Sequence, residues 1–95
     1  MTDIISGNFS ANGSSDIAKG AKSVRIEVGT DTNENFGGGT LNIKIRSSED
    51  LDWTTVEGMT EAGSKIIEDS VGSMQLKVEL EGSTSPDLDY SIVWR

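Results

Sequence analysis

The sequence predicts an all-β protein. The expected form is a small antiparallel β-sandwich, immunoglobulin-like or jelly-roll-like, with about seven strands in a single domain. Three observations lead there. Apolar and polar residues alternate with period two in several separate runs. Clusters of Gly, Asn, Ser and Asp punctuate the chain about every 10 residues. Helical i, i+3, i+4 stripes are scarce, while β-branched residues are abundant.

The elements follow in chain order. Residues 6–11 place Gly7, Phe9 and Ala11 on one side. Residues 22–28 alternate cleanly, with Val24, Ile26 and Val28 opposite Ser23, Arg25 and Glu27. Residues 40–46 repeat the pattern with Leu41, Ile43 and Ile45. In residues 52–57, Trp53 and Val56 stand three apart, which breaks the alternation and predicts a bend or bulge. In residues 65–69, the adjacent Ile66 and Ile67 predict a short strand with one side chain on each face. Residues 73–81 form the longest run, with Met74, Leu76, Val78 and Leu80 on one face. The last strand sets Leu88, Tyr90, Ile92 and Trp94 against Asp89, Ser91, Val93 and Arg95. Val24, Ile26, Leu41, Ile43, Ile45, Leu76, Val78, Tyr90 and Ile92 are the expected core. No helix longer than about two turns is expected.

Composition removes whole classes of function. The 95 residues include no Cys and no His. That excludes a disulfide framework, a normal zinc site, and Ser-His-Asp or Cys-His nucleophiles. Sixteen Asp and Glu against eight Lys and Arg give a net charge of -8. Such a balance argues against binding phosphate backbones or anionic membranes, which need clustered cations. No run approaches the ~18 apolar residues of a membrane span. Met1 to Ile5 shows neither a basic segment nor a long apolar one, so no signal peptide is expected. Without one, the two Asn-x-Ser sequons at Asn8 and Asn12 carry no glycosylation reading.

The stretch 29–39 is the one long irregular segment. Asp31, Asn33 and Asn35 have the 1-3-5 spacing of a calcium loop. The match stops there. Phe36 stands where such a loop needs Gly, and Asn42 stands where it needs a bidentate Glu. No metal and no cofactor are therefore expected. Gly37-Gly38-Gly39 leads into a strand, so it lacks the helix N-terminus of a phosphate cradle. Glu49, Asp50 and Asp52 sit together on a tight connection without a lined subsite, which reads as a solvated turn and not as paired catalytic carboxylates. No enzyme is expected. Trp53, Tyr90 and Trp94 are read as packing residues before a sugar-stacking platform. The candidate interface residues are Phe9, Asn33, Asn35, Phe36 and Trp94, drawn from the long loop and the two terminal strands.

A set of local motifs resembles small β-sandwich virion proteins of tailed bacteriophages. It runs Gly7-Asn8-Phe9 to Gly13, then Gly39-Thr40-Leu41-Asn42-Ile43 to Ser47, then Trp53, then Met74-Gln75-Leu76-Lys77-Val78, and finally Gly82-Ser83-Thr84-Ser85-Pro86 before the last strand. The sequence departs from that pattern at Glu49-Asp50-Leu51-Asp52, where the family often shows Asp-Gly-Gly before the Trp. The resemblance implies a virion structural protein: capsid decoration, cement, or a head- or tail-associated part, assembled in the host cytoplasm. The implied partners are other virion proteins, a major capsid or tail protein, with no nucleic acid and no membrane. The alternative is a carbohydrate-binding or adhesion module using Trp53, Phe36 and the acidic loops.

Apolar residues make up 34% and aromatics 5% of the chain, so the core is thin. Burial against other copies would add to it. A homo-oligomer is expected, with the long loop or a terminal strand in the interface. The first and last strands are the expected sheet edges.

Overall fold

The computed structural model describes residues 3–29, 33–68 and 74–95. Asp31 of the calcium-like spacing, the turn at 70–72 and Ser73 lie outside the described residues. Ten strands are present among those described: β1 (Asp3–Phe9), β2 (Gly13–Ser14), β3 (Ala18–Ala21), β4 (Ser23–Val28), β5 (Glu34–Asn35), β6 (Thr40–Arg46), β7 (Thr54–Met59), β8 (Gly63–Glu68), β9 (Met74–Glu81) and β10 (Asp87–Trp94). No helix occurs among the described residues.

Two antiparallel sheets form. One has the order β1-β10-β4-β8, with β5 also on β10; the other has β2-β9-β6-β7, with β3 also on β9. Of the three strands beyond the expected seven, β5 continues the line of β4, while β2 and β3 together make one broken line where the sequence predicts no strand. Val28 of β4 faces Tyr90, and Glu34 of β5 faces Leu88. Between them, the Asp89 carbonyl accepts from Gly29 N at 2.7 Å, and Asp89 N donates to the Asn33 carbonyl at 3.0 Å. Residues 29 and 33 thus meet the same partner residue, so β4 and β5 form one line with an insertion. Gly29 and Asn33 of the expected long loop lie on this line, which continues into β5.

The second broken line is β2 with β3. Ser14 faces Glu79, and Ala18 faces Leu76, with a register shift before Ala21. At the break, Ser15 N donates to the Val78 carbonyl at 2.8 Å. The Ser15 hydroxyl accepts from Val78 N at 3.0 Å, in place of a strand carbonyl. This keeps a buried backbone donor satisfied where the ladder fails.

With each broken pair counted as one line, the described residues form eight lines. The first sheet then reads one-eight-three-six and the second two-seven-four-five. That is a jelly roll, which decides between the two sandwich types the sequence allowed. It also overturns the expected position of the last strand. β10 lies between β1 and β4, at the centre of its sheet. Being last in the chain does not make a strand an edge, because this winding inserts the final line between the first and the third.

The core lies between the sheets. Val24, Ile26, Leu41, Ile43, Leu76, Val78, Leu80, Leu88 and Ile92 are fully buried. Ile45 and Tyr90 are only partly buried and pack against the same cluster. Period-two alternation predicted these faces because a sheet with one wet side must alternate. The expected irregularity near Trp53 is a bulge in β7. Ile43 faces Glu57 while the next residue, Lys44, faces Thr55, so Val56 is skipped. Trp53 itself precedes β7 and lies outside the core cluster.

Candidate docking face

The outer face of the first sheet is built by cross-strand register. Ile4 faces Val93, Val93 faces Arg25, and Arg25 faces Ile66. These four residues form one row across the whole sheet, roughly 14 Å long at the usual strand spacing. Ile4 is 66% exposed and Ile66 65% exposed. Arg25 bonds along its own strand to Glu27 at 2.8 Å, which turns its charge away from the row. Its aliphatic stem remains between the isoleucine ends.

The neighbouring row is polar: Ser6, Ser91, Glu27 and Ser64. Ser6, Ser91, Glu27, Asp89 and Tyr90 help line a shallow depression of about 390 Å³. The polar groups at its end are tied down. Asn8 donates to Asp87 and Asp89, each at 2.8 Å, and Asn33 donates to Asp89 at 3.1 Å. Burial, and then the nearby charge of Asp16, pushes the Tyr90 phenol up from its ordinary value.

The outer face of the second sheet carries charges that pair with one another. Lys44 donates to Glu79 and, at 3.1 Å, to Glu81. Ser14 donates to Glu79 at 2.7 Å, and Asn42 to Glu81 at 3.0 Å. Glu81, then Lys44 and Ser14, hold the Glu79 carboxyl down at about 2. Arg46 sits 4.2 Å and Lys77 4.8 Å from the Trp53 ring centre. The ring serves as a seat for two cations.

The residues chosen from sequence do not come together. Phe9 and Phe36 are core residues, 6% and 7% exposed, so neither presents a free ring. A loop in so small a domain buries its one aromatic instead of displaying it. Asn33 holds Asp89, and Asn35 accepts from Gly37 N at 2.9 Å, bracing its own turn. Trp94 packs against the core edge and donates to the Lys19 carbonyl at 3.2 Å. Glu49, Asp50 and Asp52 are exposed around a turn in which Leu51 N donates to the Ser48 carbonyl at 3.1 Å.

The sequence placed Arg25 and Val93 on the faces opposite the apolar ones but did not join them into a surface row, and it left Ile4 outside any strand. The adjacent pair Ile66-Ile67 did carry a signal, since one of two neighbours in a strand must face out. Ile4-Ile5 carries the same signal but lies before the strand start expected at residue 6.

No family model and no curated protein matches this chain. A solved structure does. The chain is similar to the crystal structure of Yersinia pseudotuberculosis-derived mitogen, with a TM-score of 0.60 and 13% identity, covering 98% of this chain and 83% of that one. At that identity the likeness concerns the fold, and it supports the two-sheet β-sandwich described above.

Proposed function

We propose that this protein is a non-catalytic assembly module, a virion structural protein that docks on a capsid or tail and associates with its own kind. The observation that carries the reading is the pair of exposed isoleucines, Ile4 and Ile66, at opposite ends of one row on the first sheet. In a chain with a net charge of -8, two large apolar side chains at about two-thirds exposure mark surface meant to be covered. Both stand on edge strands, where backbone donors and acceptors also await partners. The resemblance of the sequence motifs to those of phage virion proteins suggests the assembly in question.

The alternative of a carbohydrate-binding module has less to work with. The Trp53 ring is engaged by Arg46 and Lys77, and Phe36 is buried. Purified particles test the virion reading. The protein is expected in gradient-purified virions at a fixed copy number relative to the major capsid protein. Its absence from them overturns the reading.

A further inference from the structure

We propose that copies of this chain join head to tail by strand addition, β1 of one copy pairing antiparallel with β8 of the next. The inference rests on the reading of the chain as an assembly module, and it names the partner as a second copy.

Four observations lead to it. First, β1 and β8 are the two edges of one sheet: among the described residues β1 pairs with β10 alone and β8 with β4 alone. Second, both edges are regular. Their registers run unbroken from Asp3 to Phe9 and from Gly63 to Glu68. The edges of the other sheet are spoiled, by the β2–β3 break on one side and the bulge at Val56 on the other. Bulges and interruptions are how sheets block unwanted pairing, so the first sheet is the one left open.

Third, the strand directions fit. Neighbours alternate across β1, β10, β4 and β8, so a further copy in the same orientation brings its β1 antiparallel to β8. Fourth, continuing the existing rows fixes the register, and the residues then match. Ile4 comes opposite Ile66, Ser6 opposite Ser64, and Gly7 opposite Gly63. Ile5 falls opposite Lys65 and Asp3 opposite Ile67. Asp3 and Lys65 are then diagonal neighbours on one face, about 7–8 Å apart at the backbone, within reach of a lysine side chain. The row continues across copies, and each exposed isoleucine gains the other as a cross-strand neighbour that shields one flank.

Charge also selects this pairing over like-with-like. A β1–β1 contact offers only Asp3 against Asp3 among its charges. In a β8–β8 contact, Lys65 and Glu68 lie on opposite faces of the sheet and cannot meet. Only β1 with β8 sets opposite charges on one face. The contact is heterologous, so it closes into a ring or grows into a filament according to the rotation between copies.

Sedimentation velocity over a concentration series tests this with two variants, Ile4→Lys and Ile66→Lys. Both positions are exposed in the single copy, so circular dichroism is expected to show the wild-type fold. Wild type is expected to form species larger than a dimer, while each variant alone sediments as a monomer. An equimolar mixture of the two variants is expected to form a dimer, since each retains the edge the other lacks. A wild-type monomer at every concentration, a variant that self-associates as well as wild type, or a mixture no larger than its parts overturns the proposal. If either variant misfolds, hydrogen exchange on wild type decides: β1 and β8 amides slow as concentration rises if the proposal holds, and the lack of such slowing overturns it. Absence from virions with this association intact overturns the virion reading alone.

Discussion

The hydroxyl oxygen of Tyr90 lies 2.8 Å from the point where a Cβ on Gly7 would stand. Two further ring atoms lie 3.1 and 3.2 Å from that point. Gly7 and Tyr90 face each other across β1 and β10, and the missing side chain makes room for the ring. The ring cannot easily retreat, because it stacks on Phe9 with centroids 4.7 Å apart. Gly7→Ala is therefore expected to cost roughly 1–3 kcal/mol, as overpacking does. In a Tyr90→Leu background the same change is expected to cost much less. Denaturant midpoints for the four proteins give the coupling. Equal costs in the two backgrounds would show that the ring is not the obstacle.

The three consecutive glycines make an unequal set. A Cβ on Gly37 would stand 2.5 Å from the Thr84 carbonyl oxygen, and one on Gly39 would stand 2.5 Å from the Glu81 carbonyl oxygen. Gly38 has open space around it, though its φ is +77°. The close approach has a purpose. Thr84 N donates to the Gly37 carbonyl at 2.9 Å, and the Ser83 hydroxyl to the Phe36 carbonyl at 2.7 Å. Gly37→Ala and Gly39→Ala are expected to lower the melting temperature strongly, since backbone must move. Gly38→Asn is expected to cost less than about 1 kcal/mol, because Asn tolerates the left-handed region. A thermal scan in which Gly38→Asn is the worst of the three contradicts the packing argument.

The sandwich was legible because burial on one face forces period two, and runs such as Val24-Arg25-Ile26-Glu27-Val28 have no other economical explanation. What was not legible depends on winding. Nothing local in residues 87–94 says that β10 sits between β1 and β4, since an apolar face looks the same at an edge and at a centre. The broken lines were hidden for a related reason. Ser15 completes the ladder with its side chain, and that role leaves no pattern in the sequence. The docking row was missed because it is assembled from four strands: the adjacent pairs Ile4-Ile5 and Ile66-Ile67 each mark one outward residue, but nothing local says that the two lie on one row.

Glu79 gives the fold an acid-sensitive contribution. Its folded value of about 2 lies below its ordinary 4.5, through Glu81 first, then Lys44 and Ser14. A carboxylate depressed in the folded state stabilises fully above its unfolded value and loses that contribution as pH falls toward the folded one. Wild type is thus expected to lose more stability than Glu79→Gln between pH 4.5 and pH 2. The difference between the two stability curves separates the Glu79, Glu81 and Lys44 network from the carboxylates elsewhere. Urea titrations at several pH values measure it, and parallel curves across that window count against the network.

Trp53 offers a test of the carbohydrate alternative as well as of stability. The ring carries the Arg46 guanidinium at 4.2 Å and the Lys77 ammonium at 4.8 Å, and Arg46 is held by Gln75 through a 2.9 Å hydrogen bond. Like-charged Lys44 and Lys77 face each other in the register between β6 and β9. Lys77 sits over the ring and 3.7 Å from Glu79 Oε2, while Lys44 pairs with Glu79 Oε1 and with Glu81, so carboxylates and the ring offset the repulsion between the two cations. Each partly exposed cation–ring contact is worth about 0.5–1 kcal/mol. Trp53→Leu is accordingly expected to cost about 1–2 kcal/mol, with a smaller loss for Trp53→Phe, which keeps a ring. The fluorescence of a Trp94→Phe variant then reports on Trp53 alone. Titration with oligosaccharides is expected to leave that emission unchanged, because a sugar must first displace two cations from the ring. A saturable shift in emission would instead favour the carbohydrate module, and loss of the shift in Trp53→Leu would locate the sugar on this face.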